Sequence, residues 1–155
     1  VTHLKDYDRI IFVDSDDTAR SVMAAALMKK QDLLSEPQIF SRGLVVLFPA
    51  PVNQKVVAIM ASHDLDVTDH QASQLSPEDV TARTLILVME ESQRNKVSEL
   101  LSGPAELYTI SEFTGFSGDI EPLFGAELSE YGKCYELLNE LVRIAAARIN
   151  EEEEN

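Results

Sequence analysis

Residues 14 to 21 read D-S-D-D-T-A-R-S, and the spacing of their acids around one arginine admits two chemistries. Asp14, Asp16 and Thr18 form a D-x-D-x-T pattern, in which the first carboxylate attacks phosphorus, the second moves the proton and a magnesium ion offsets the charge. The same stretch, from Asp14 through Ser15, Asp16, Asp17, Thr18 and Ala19 to Arg20 and Ser21, also has the C-x5-R spacing of a phosphate loop closing on a helix N-terminus. In that case aspartate stands where the cysteine nucleophile belongs. The first reading predicts a magnesium-dependent enzyme with Asp14 as nucleophile and Asp16 as acid; Asp14, Asp16 and Asp17 as ligands of a divalent cation are a separate, intermediate case on the second reading's loop. The second predicts an enzyme that has lost its nucleophile and needs no cofactor.

Either chemistry needs a loop held at the end of a strand. Residues 9–14, RIIFVD, are a β-branched apolar run ending abruptly in acid, which predicts a buried strand. Helical spacing of Val22, Met23, Ala26 and Leu27 predicts a helix over 20–32. A second apolar stretch at 39–48 is interrupted at Gly43 and punctuated by Pro49 and Pro51, and a helix is expected over 53–65. TLILVME, 84–90, predicts a strand, 91–101 a helix, and ELYTI, 106–110, a short fourth strand. The glycine-bearing segment 111–125 reads as a long ordered loop, of the kind that often carries function. A final helix over about 127–149 places Leu128, Tyr131, Tyr135, Leu138, Val142, Ala145 and Ile149 on one face. Strands alternating with helices imply an α/β three-layer sandwich, a four-stranded parallel sheet with helices on both faces. Residues 1–150 are expected to form a single domain. Residues 151–155, EEEEN, are expected to be an acidic solvated tail, frayed because its charges oppose the helix dipole.

The 155-residue chain has 45% apolar residues, sufficient for one core, and a formal charge of -14. That charge argues against nucleic acid or an anionic membrane as partner and favours a basic protein. Cys134 is the one cysteine, so no internal disulfide forms, consistent with a reducing cytoplasm. No apolar run approaches the roughly 20 residues of a membrane span, and no cleavable signal pattern opens the sequence. His3 and His63 read as surface residues.

The chain resembles the low-molecular-weight protein tyrosine phosphatases, including their bacterial members. Their loop pattern C-x-G-N-x-C-R-S-P-M-A-E is answered here by D-S-D-D-T-A-R-S-V-M-A-A, residues 14–25. Their Ser-Ala-Gly is answered by Ser41-Arg42-Gly43, their H-x-A-x-x-L by His70, Ala72 and Leu75, and their L-I-L-V-M by Leu85 to Met89. The late D-I-x-D-P-F-G is echoed by Asp119 to Gly125, with Tyr131 following. The resemblance implies a loop whose amides and arginine cradle phosphate, a cysteine that attacks it, a serine that steadies the thiolate and a late-loop aspartate that protonates the leaving group. Arg20 and Ser21 keep two of those positions. Asp14 replaces the cysteine, Asp16 and Asp17 the glycine and asparagine, and Pro122 the acid. Glu121 sits one residue early and substitutes only if the loop shifts. The D-x-D-x-T reading resembles the haloacid dehalogenases, over three positions only.

The replacements share a direction, because three carboxylates now crowd a loop built for a dianion. Two like charges about 4 Å apart repel by about 4 kcal/mol at an effective dielectric of about 20. Asp14 is therefore expected to accept the loop N–H bonds itself and to pair with Arg20, imitating the missing anion. The function implied is a phosphatase-like protein without catalysis. Phe124 and Tyr108 are candidates for a residual aromatic groove, Cys134 for the core, and His70 for a structural residue near the sheet.

Overall fold

The computed structural model describes residues 7–101 and 105–154, with side chains as far as Glu151, so His3 lies outside the described residues. Four parallel strands, β1 (Arg9–Asp14), β2 (Gln38–Gly43), β3 (Thr84–Val88) and β4 (Glu106–Thr109), form one sheet in the order β2-β1-β3-β4. The most apolar runs take the centre: Ile10 to Val13 and Leu85 to Val88 are fully buried. The alternating pleat then sorts their side chains to two faces. Ile10, Phe12, Leu85 and Leu87 join one cluster with α1 (Arg20–Lys29), α2 (Gln54–Ser62) and α5 (Leu128–Glu154). Ile11, Val13, Ile86 and Val88 meet Leu75 and Val97 on the other, beneath α3 (Glu91–Leu100). Each such burial is worth about 1.5–3 kcal/mol, so the two faces lock the sheet between its helix layers.

The chain leaves β1 for β2 on one side and reaches β3 on the other, which puts a topological switch point at the carboxyl end of β1. Residues 14–21 emerge there, beneath the start of α1.

β2 stops at Gly43, where the second apolar stretch is interrupted, and two other elements differ from the sequence reading. β1 ends opposite Gly43 at Asp14, so the residues beyond have no strand to pair with, and Leu44 and Val45 donate instead to the Asp14 and Ser15 carbonyls, each at 3.0 Å. Within 111–125 a short helix, α4 (Ile110–Phe113), is set by a capping box in which Thr109 Oγ1 accepts from Glu112 N–H and Glu112 Oε1 from Thr109 N–H. Finally, α5 continues to Glu154, because good helix formers outweigh the unfavourable dipole that was expected to fray the acidic end.

Gly43 is the tightest point between sheet and loop. A Cβ there would lie 2.8 Å from the Asp16 carbonyl carbon and 2.6 Å from Val46 Cγ2. Gly43→Ala should therefore cost about 1–3 kcal/mol in urea-induced unfolding, because backbone must move to admit the methyl. An unchanged midpoint would show that the loop yields freely.

Candidate functional site

The carboxylate of Asp14 turns into the loop. Its Oδ1 accepts from Asp17 N–H at 2.7 Å and its Oδ2 from Ser21 N–H at 3.0 Å, and the residue is 1% exposed. Ser21 lies in the first turn of α1, so Asp14 satisfies one of that helix's free N–H groups from the neighbouring strand end. The helix gets no side-chain cap from Ala19. Burial pushes the Asp14 carboxyl above its usual range, while the Ser21 amide, the Arg20 charge and the Asp17 amide pull it back.

Arg20 does not pair with Asp14 as the sequence suggested. Its Nη1 donates to Glu90 Oε2 at 2.7 Å and to the Ile120 carbonyl at 2.6 Å, and its Nη2 reaches Ser15 Oγ at 3.5 Å. Asp14 is already committed to two amides, so Glu90, at the carboxyl end of the adjacent β3, takes the guanidinium. Sequence reading missed Glu90. The signal was available in the rule that carboxyl ends of neighbouring parallel strands gather at one site.

Asp17 faces the opposite way. It takes a left-handed backbone, φ 59°, which aspartate tolerates better than most residues. Its buried carboxylate accepts from Ser21 Oγ at 2.8 Å and from Ser73 N–H at 3.0 Å, and lies 3.2 Å from His70 Nε2. The Ser21 hydroxyl thus steadies Asp17 rather than residue 14. His70 also reaches the Asp17 carbonyl at 3.1 Å, so it braces the loop as well as flanking the sheet. Asp16 is exposed, and its Oδ1 accepts from Thr18 Oγ1 at 2.9 Å. The three carboxylates therefore diverge, and among the described residues no group of three or more His, Cys, Asp or Glu is gathered for a metal ion.

The Asp17 hydrogen bond raises the His70 imidazole above its ordinary 6.5, against a smaller opposing effect of burial. The stabilisation is fully present below the ordinary value and is lost as pH rises through the raised one. A proton-NMR titration should place His70 above an exposed histidine, and Asp17→Asn should bring it down. A His70 titration unchanged by Asp17→Asn would break this link.

A cavity of about 70 Å³ opens over the loop, lined by Asp14, Ser15, Asp16, Thr18, Ala19 and Arg20 from below and by Asn53, Pro122, Leu123, Phe124 and Tyr131 from above. Pro122 thus stands at the mouth, where it offers no proton. Glu121 is exposed and is not among the lining residues. Phe124 is at the rim as expected. Tyr108 is not, because its hydroxyl donates to Glu106 at 3.1 Å and its ring packs on Phe113. Cys134 is buried, and desolvation pushes its thiol up to about 11, which suits packing and not attack. His63 is exposed and stacks on Tyr135.

A family profile described as low molecular weight phosphotyrosine protein phosphatase matches residues 9–155. The chain is 30% identical to the low molecular weight protein-tyrosine-phosphatase PtpB of Staphylococcus haemolyticus over 134 residues, 86% of this chain and 94% of that one. It is 25% identical to a protein-arginine-phosphatase of Geobacillus stearothermophilus over 147 residues, 94% of this chain and 98% of that one. Among solved structures, the low molecular weight protein tyrosine phosphatase from T. tengcongensis superposes with a TM-score of 0.79 at 28% identity. That match covers 88% of this chain and 95% of that one. No helix among the described residues is long and apolar enough to cross a membrane.

Proposed function

Because the chain belongs to the low-molecular-weight phosphotyrosine protein phosphatase family, we propose that it is a non-catalytic member, a phosphatase-shaped binding module. The observation that carries this reading is the Asp14 carboxylate, which holds the Asp17 and Ser21 amides at 2.7 and 3.0 Å. Those amides belong to the loop whose family role is to cradle phosphate. An anion entering it meets Asp14 and Asp16, while Arg20 is held by Glu90 and the Ile120 carbonyl. No thiol stands at position 14, and Pro122 offers no acid. Relatives' names include both tyrosine and arginine phosphatases, so membership alone fixes no substrate.

The test is hydrolysis of a small aryl phosphate by the purified chain, with chelator and with added magnesium in parallel. Neither condition should give turnover above buffer. Turnover restricted to magnesium, and abolished by Asp14→Asn, would replace this reading with an aspartate-nucleophile enzyme.

A further inference from the structure

The acidic loop sits beside an apolar rim that the fold leaves uncovered. Two backbone bonds pin the segment after β2 to the loop: Val45 N–H donates to the Ser15 carbonyl and Asn53 N–H to the Thr18 carbonyl, both at 3.0 Å. Between these anchors Leu47 and Phe48 are 89% and 67% exposed. From the loop before α5, Phe124 is wholly exposed and lines the cavity with Pro122. Single exposed apolar residues are ordinary, but here Phe124 lines the cavity while Leu47 and Phe48 stand on the segment bonded to the same acidic loop, leaving that loop flanked by apolar surface that water covers poorly.

The charge at this rim selects the occupant. Asp14 and Asp16 line the cavity, and the exposed Glu121 adjoins it. The nearby cations are already engaged. Arg20 is held by Glu90 and the Ile120 carbonyl, while Lys55 Nζ donates to the Ala126 carbonyl and lies 5.6 Å from the centre of the Tyr131 ring. The whole chain carries a formal -14, so its field at longer range also draws cations.

The geometry points to one occupant, a basic segment of a partner protein. Its arginine or lysine enters the cavity beside Asp16, and its apolar neighbours pack on Leu47, Phe48 and Phe124. This rests on the non-catalytic reading above, because a working phosphate loop would select the opposite charge. Cation and apolar contact act together here: the carboxylates set which partner is admitted, and the exposed rings supply the desolvated contact that holds it.

The probe is a short fluorescent peptide alternating arginine with leucine, followed by anisotropy against the full chain, beside a counterpart in which citrulline replaces arginine. Two double variants of identical net charge separate a site from a general field: Asp16→Asn with Glu121→Gln at the rim, and Glu99→Gln with Glu136→Gln on α3 and α5. The rim variant should bind about tenfold more weakly and the helix variant like wild type, as should follow if a few contacts carry the energy. Phe124→Ser should weaken binding by a similar factor, and the citrulline peptide should bind poorly to every form. Equal weakening by the two double variants, equal binding of the citrulline peptide, or no binding by wild type overturns the proposal. Aryl phosphate turnover by the same preparation would overturn instead the non-catalytic reading beneath it.

Discussion

In a loop carrying Asp14→Cys, Asp16→Gly and Asp17→Asn, adding Pro122→Asp is expected to raise aryl phosphate hydrolysis by about 10²–10⁴-fold, the usual contribution of a positioned general acid. The three loop changes supply a thiol and remove all three carboxylates of the loop, two of which, Asp14 and Asp16, line the cavity. They leave the departing oxygen without a proton, because Pro122 lines the cavity and Glu121 does not. Steady-state kinetics on the triple and quadruple variants measures the difference. The gain should appear with poor leaving groups and shrink with good ones, since only the former need the proton. Asp14→Cys alone is expected to give little turnover, with Asp16 still at the mouth and Arg20 still bound to Glu90. Full activity in that single variant would mean that the remaining departures do not silence the site.

Asp14→Ala is expected to lower stability by about 2–4 kcal/mol in denaturant unfolding. Two N–H groups lose their acceptor, each worth about 1–3 kcal/mol when left buried and unpaired, and relief of the buried carboxylate returns part of that. The same truncation opens the loop to an outside anion. Inorganic phosphate should therefore stabilise Asp14→Ala, by about 2.7 kcal/mol at a hundredfold excess over its dissociation constant, and so raise its melting temperature, while leaving wild type unchanged. A stabilising Asp14→Ala would show that the buried carboxylate costs more than its two hydrogen bonds return.

The sheet was legible because its central strands announce themselves: Ile10 to Val13 and Leu85 to Val88 are uninterrupted aliphatic or aromatic runs, rich in β-branched residues, that run into an acid within two positions of their ends. The loop was legible from the order of its charges, and the inward turn of Asp14 followed from asking what the amides would do without phosphate. The partner of Arg20 was not, since Glu90 lies 70 residues away and only the strand order brings it near. β2 ends where the apolar stretch is interrupted, at Gly43, because β1 extends no further to pair with Leu44 to Phe48. The four residues of α4 escaped because one capping box, not periodicity, defines them. The network through Asp17, His70 and Ser73 spans more than fifty positions and depends on one left-handed residue, for which local pattern gives no sign.

The central claim is that Asp14 fills the place an anion would take. It is tested most directly by titrating inorganic phosphate into the ¹⁵N-labelled wild-type chain and following the Asp17 and Ser21 amide signals. If the carboxylate already holds those N–H groups, both signals stay where they are throughout, whereas in Asp14→Ala both move and saturate. A saturable shift of the two amides in wild type would contradict the claim.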